Sequence, residues 1–90
     1  MIHMDPADLG TLCICSLRYC IGKQSYIPDT VQRICLQYLE KLSGDDIDIM
    51  LHDCMMVDRY YLYGDGLNKK GWTKLRNALV AEKERRERET

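Results

Sequence analysis

Apolar residues recur along this chain at three-and-four spacing in four separate stretches, and each stretch is bounded by residues that start or stop helices. Leu9, Leu12, Cys13, Leu17 and Cys20 form the first such face. Asp5 and Pro6 supply a cap and a first-turn residue ahead of it, and Gly22 follows it, so a helix is predicted over about 6 to 21. The second stripe is the cleanest. Val31, Ile34, Cys35, Tyr38, Leu39 and Leu42 lie on one side, and Gln32, Arg33, Gln37, Glu40 and Lys41 on the other, which predicts a helix over about 28 to 42 beginning at Pro28.

Ser43 and Gly44 end that helix, and Asp45, Asp46 and Asp48 put negative charge where the next helix dipole favours it. This third helix is expected over 45 to 63. Its apolar residues, Ile47, Met50, Leu51, Cys54, Met55, Val57 and Leu62 with Tyr60, Tyr61 and Tyr63, occupy more than one face, so a single neighbour cannot cover them. Either the helix is central in a bundle or part of its surface is a dimer contact, which Met and Tyr would suit. A loop is predicted from Gly64 through Gly71, then a fourth helix over 72 to 88 opened by Trp72, Leu75, Ala78 and Leu79. Beyond Val80 the chain alternates acids and bases from Glu82 to Glu89, which reads as a solvated helical extension over about 81 to 90 held by i,i+4 charge pairs.

The fold class that follows is all-α: one compact domain of about four helices spanning 1 to 90. Leu17, Val31, Ile34, Cys35, Leu51, Cys54 and Leu75 are its expected core. Ninety residues bury only about 60 to 65 % of the unfolded chain's surface, so a homo-oligomer is the expected remedy for marginal stability.

Charge removes several functions. With 13 basic and 14 acidic residues and a net charge of −1, the chain lacks the basic footprint that a nucleic-acid polymer demands. No stretch approaches the ~20 apolar residues of a membrane span, and the N-terminal residues lack the pattern of an export signal, so the expected location is the cytosol. The five cysteines, Cys13, Cys15, Cys20, Cys35 and Cys54, are odd in number and lie mostly on apolar faces. They read as reduced thiols filling a core. No C-x-x-C and no set of four ligands marks a metal site, and no signature points to a cofactor. His52 and Asp53 could form an acid and base pair, but adjacent helix residues diverge by about 100°, and the expectation is a protein without catalytic activity.

The densest polar cluster is the run from Arg18 to Pro28. Arg18 and Lys23 can hold an anion, Gln24 and Ser25 can read a sugar or base edge, and Tyr19, Tyr26 or Trp72 can stack on a purine. The same residues suit a structural role, with Arg18 paired to Asp53 and the phenols packed in the core. Taken together, Arg18-Tyr19-Cys20-Ile21-Gly22-Lys23-Gln24-Ser25-Tyr26, Asp45-Asp46, His52-Asp53, Gly64-Asp65 and Trp72 to Leu75 resemble a family of small phage-type proteins. That family carries an Arg-Tyr-Ala-Leu-Gly-Arg-x-Thr-Tyr motif, an Arg-Asp pair, a Gly-Asp loop and a Trp-x-x-Leu closing helix. The resemblance covers roughly residues 10 to 80, with Lys23 and His52 standing where the family has arginine.

What it implies is an anti-defence protein acting in the host cytosol. The expected activity is non-enzymatic sequestration of a nucleotide immune signal, cyclic or ADP-ribose-like, through Arg18, Tyr19, Lys23, Gln24, Ser25, Tyr26, Asp53 and Trp72. The alternative is direct inhibition of a host defence protein, such as an anti-CRISPR exerts, through the Met and Tyr surface of the third helix and the charged tail.

Overall fold

The computed structural model describes residues 4–22, 27–60 and 66–89, with side chains at 58–60 and 66–70 left aside. The predicted run of helices is found: α1 (Pro6–Gly22), α2 (Asp29–Gln37), a single 3-10 turn (Leu39–Lys41), α3 (Gly44–Tyr60) and α4 (Gly66–Arg88). No strand occurs among the described residues. Around the bundle the order is α1, α3, α4, α2 and back to α1, so each helix packs on two neighbours. The Cα envelope measures 37 × 33 × 17 Å, a flat body about two helices thick.

Two starts obey the capping rules. The Ala7 backbone N–H donates to Asp5 Oδ1 at 2.8 Å, and the Asp46 N–H donates to Ser43 Oγ at 3.1 Å. The core lies where α3 meets α4. Ile47, Met50, Cys54 and Val57 from α3 and Trp72, Leu75 and Leu79 from α4 are each 4 % exposed or less, joined by Leu17 of α1 and Cys35 of α2. Leu17, Cys35, Cys54 and Leu75 are therefore buried as expected. Val31, Ile34 and Leu51 are not; they pack on the core from its margin and stay partly exposed, because a body this thin has few fully enclosed positions. Met50, fully buried one residue before Leu51, holds the interior position on that turn.

Two boundaries differ from the expectation. Helix α4 begins at Gly66, so the segment 66–71, read as loop, is helical. Its glycines lower helix propensity by about 1 kcal/mol each, and packing overrides that preference; the Gln32 side chain donates to the Gly71 carbonyl at 3.4 Å from α2. Gly64 and Asp65 lie outside the described residues, as do the last three residues of the predicted third helix.

The second helix also ends early. At Tyr38 the α-helical ladder stops, and the Lys41 and Leu42 N–H groups bond to Tyr38 and Leu39 carbonyls in the tighter 3-10 pattern. Arg86, more than five turns along α4, meets the freed carbonyls. Its Nη2 approaches the carbonyl oxygens of Leu42 at 2.8 Å, Glu40 at 3.2 Å and Leu39 at 3.3 Å. Helix ends leave carbonyls short of partners, and one guanidinium here serves those of Glu40 and Leu42 and shares that of Leu39 with the Leu42 N–H.

Glu82 holds that guanidinium. It is 6 % exposed, accepts from Arg86 Nε at 3.0 Å and from Arg85 Nε at 3.1 Å, and is bridged again by an Arg85 terminal nitrogen. The expected solvated extension is thus a correction: its first turn and a half, Glu82 to Arg86, is packed against the α2–α3 turn. The Arg85 guanidinium, and after it Arg86, keeps the Glu82 carboxyl ionised below the ordinary glutamate range despite its burial.

Arg86→Ala should accordingly destabilise the fold by roughly 1.5 to 3 kcal/mol, because three carbonyls and a carboxylate lose a charged donor. A carboxyl whose folded pKa is depressed contributes stability above its unfolded pKa and loses it as pH falls through the folded value. Urea titrations of wild type and Glu82→Gln across the acidic range should therefore show a lower starting stability in Glu82→Gln and a shallower loss on acidification. Parallel pH profiles would contradict the assignment.

Candidate binding surface

Gly10 of α1 faces the start of α3. A Cβ at this position would overlap the carboxylate of Asp46, which a larger residue would displace from its place beside α1 at the start of α3. Two turns further along both helices, Arg18 Nε donates to Asp53 Oδ2 at 3.0 Å. These contacts run in the same order on the two chains, so α1 and α3 are parallel. By contrast, α4 is antiparallel to α3, with Lys83 Nζ 3.0 Å from Asp48 Oδ1 and Arg86 at the turn before α3.

The Asp53 side chain is 10 % exposed and that of Arg18 60 %. Burial of an ionised carboxyl demands a partner, and Arg18 provides it through Nε while its side chain stays 60 % exposed. His52 Nδ1 lies 3.8 Å from Asp53 Oδ1 on the outer side, with its ring largely in solvent. One buried carboxylate thus orients a guanidinium and an imidazole at the surface. The Arg18 guanidinium set this way can attract an anion, although Asp53 offsets its charge and occupies the Nε edge that a bidentate phosphate contact would use.

The other predicted ligand residues fare differently. Tyr19 is 67 % exposed but leaves α1 about 100° around from Arg18, toward the side carrying Leu12 and Ser16. Trp72 is 2 % exposed in the core, so its indole has no open face for a purine, and the stacking role expected for it is corrected to packing against α3. Lys23, Gln24, Ser25 and Tyr26 lie outside the described residues. The structure therefore joins Arg18 to Asp53 and directs Tyr19 and Trp72 elsewhere.

A second surface was not anticipated. Between α1 and α2 runs an apolar cavity of about 230 Å³, open to solvent along its length, with Leu9, Leu12 and Ser16 on one wall, Val31 and Ile34 on the other, and Met4 at one end. Leu12 and Met4 form an exposed rim, at 52 % and 45 %, whereas Cys13 and Cys35 form the floor. The sequence signal was present in the excess of apolar positions on α1, where Leu9 and Leu12 lie to one side of the Cys13, Leu17 and Cys20 stripe. Such a volume falls below the roughly 300 to 1,000 Å³ typical of small-molecule pockets and suits one or two inserted side chains. No family model, no curated protein and no solved structure matches the chain.

The Arg18 and Asp53 assignment is open to a double-mutant cycle. Arg18→Ala and Asp53→Ala should each lower the unfolding midpoint in urea, while the double variant should lose less than the sum, by about 1 kcal/mol for a half-exposed pair. Strict additivity would remove the pair from the account.

Proposed function

We propose that this protein is a non-catalytic protein-binding module whose contact surface is the α1–α2 groove with the exposed Leu12, Met4 and Tyr19 around it. The observation that carries the reading is the groove itself: an apolar slot of side-chain dimensions, rimmed by large apolar residues that the fold leaves in water. Anchor residues of a partner helix, spaced three or four apart, fit such a slot. In the context that the Arg18 to Tyr26 motif suggests, the partner is a host defence protein and the consequence is its inhibition.

Self-association is part of this proposal. Ile49, Met55 and Met56, with His52 among them, recur at three-and-four spacing along the outer side of α3 and are 37 %, 55 % and 37 % exposed. The accessible surface of 6276 Å² exceeds by roughly 800 Å² what a monomer of this mass exposes, about what one partner contributes to a standard interface.

Sequestration of a nucleotide signal is the second reading, favoured by the exposed side chain of Arg18 and the ring of His52 around Asp53. One experiment separates the two. Tagged wild type, Leu12→Glu and Arg18→Lys are incubated with host extract and, separately, with nucleotide signals, and retained proteins and heat-released nucleotides are identified by mass spectrometry. The expected result is a defined protein partner retained by wild type and Arg18→Lys and lost in Leu12→Glu, whose exposed site should change stability by no more than about 0.5 kcal/mol. Intact nucleotide released from wild type but not from Arg18→Lys would overturn the protein-binding reading in favour of sequestration. In light scattering, a mass fixed at 10.5 kDa at all concentrations would reject self-association.

A further inference from the structure

The groove floor carries chemistry that neither binding reading uses. Cys13 of α1 and Cys35 of α2 are 4 % and 1 % exposed, face each other across the helix interface and share a hydrogen bond in which the Cys35 thiol donates to the Cys13 sulfur. Both line the cavity described between these helices, so a molecule small enough to enter a 230 Å³ slot comes up against the sulfur pair. Cys20 and Cys54 are also buried, but neither lines this cavity, and Cys15 stands exposed on the far side of α1.

We propose that Cys13 and Cys35 are an oxidisable thiol pair, converted by hydrogen peroxide into an intramolecular disulfide that fastens α1 to α2. The donated hydrogen bond favours the Cys13 thiolate and lowers its pKa against the opposing effects of burial and of the Asp46 carboxylate, whereas the same bond and burial push the Cys35 thiol far up. Cys13, the more exposed of the two at 4 % against 1 %, is the attacking sulfur and Cys35 the resolving one. In the first step the Cys13 thiolate attacks one peroxide oxygen, the O–O bond breaks, hydroxide leaves and a sulfenic acid forms. In the second, the Cys35 sulfur attacks the Cys13 sulfur, the S–O bond breaks, and the Cys35 proton leaves with the hydroxyl as water. The net change is two thiols and one peroxide to one disulfide and two waters.

Two consequences distinguish this pair from ordinary core cysteines. A cross-link between these positions closes a loop that contains the α1–α2 connection, which restricts the unfolded chain and raises stability. It also draws the groove floor together beneath Leu12 and Ile34, so the oxidised and reduced proteins present different slots to a partner.

The test treats the reduced, folded full-length chain with hydrogen peroxide, quenches with an alkylating agent, and maps the products by peptide mass spectrometry, with a melting curve on the same samples. The expected product is a monomer that has lost two hydrogens, with a Cys13–Cys35 linked peptide, Cys20 and Cys54 recovered as free thiols, and a higher melting temperature. Cys35→Ser should stop at a Cys13 sulfenic acid trapped by dimedone. Peroxide treatment of the guanidinium-unfolded wild type serves as a control that does not depend on that variant folding, and it should give mixed pairings. Overturning results are a folded product linked through Cys15 between chains, a link to Cys20 or Cys54, or oxygen addition without any disulfide.

Discussion

The turn between α2 and α3 is tied to the far end of α4 by Arg86. In this turn the chain abandons the α-helical ladder at Tyr38, passes through a single 3-10 turn and starts α3 at Ser43, leaving carbonyls short of helical partners. The Arg86 guanidinium on α4 meets the carbonyls of Leu39, Glu40 and Leu42, and Glu82 holds it in place through Nε. Because α4 is antiparallel to α3, this clamp at one end and the Trp72 packing at the other fix α4 along the core. The remaining order of the bundle follows: α2 is tied to α4, and α1 fills the side left between α2 and α3, with Gly10 against Asp46.

The two buried carboxylates show one rule with two outcomes. Among the described residues Asp53 and Glu82 are the buried acids, and each is met by arginine from another turn or another helix. At Glu82 the partners are spent on structure. At Asp53 the arginine remains more than half in solvent, so the same device that neutralises a buried charge also sets a cation at the surface. The geometry that made the Arg18 motif look like a ligand site is therefore also the geometry of a helix-to-helix tie. Weighed against it, the α1–α2 groove has no structural debt to meet, since its rim residues are apolar and wet.

Much of the bundle was legible in the sequence because helices announce themselves through the 3.6-residue period and their caps. The Asp5-Pro6 start, the acidic first turn of α3 and the core positions Leu17, Cys35, Cys54 and Leu75 all follow from local pattern. Three features did not. The helical 66–71 segment contradicts glycine's propensity, and only the packing of α4 overrides it. Val31, Ile34 and Leu51 lie on the correct faces, yet a slab two helices thick leaves them at its margin. The run from Glu82 to Glu89 satisfies itself by i,i+4 pairing and so reads as solvated, and nothing local reveals that Leu39, Glu40 and Leu42 lie within reach of Arg86. The candidate site was legible only in part: the Arg18 and Asp53 pairing was readable as an alternative, whereas a groove made by two helices depends on their tertiary arrangement.

The central claim is that a charged chain end is part of the folded core rather than an appendage, and amide hydrogen exchange on the free, full-length protein tests it most directly. The account predicts that the α4 amides from Glu82 through Arg86 exchange about as slowly as those of Leu75 and Leu79 on the same helix, with fraying confined to the residues after Arg86. Exchange at the rate of an isolated helix from Glu82 onward, beside a protected segment around Leu75, would contradict it.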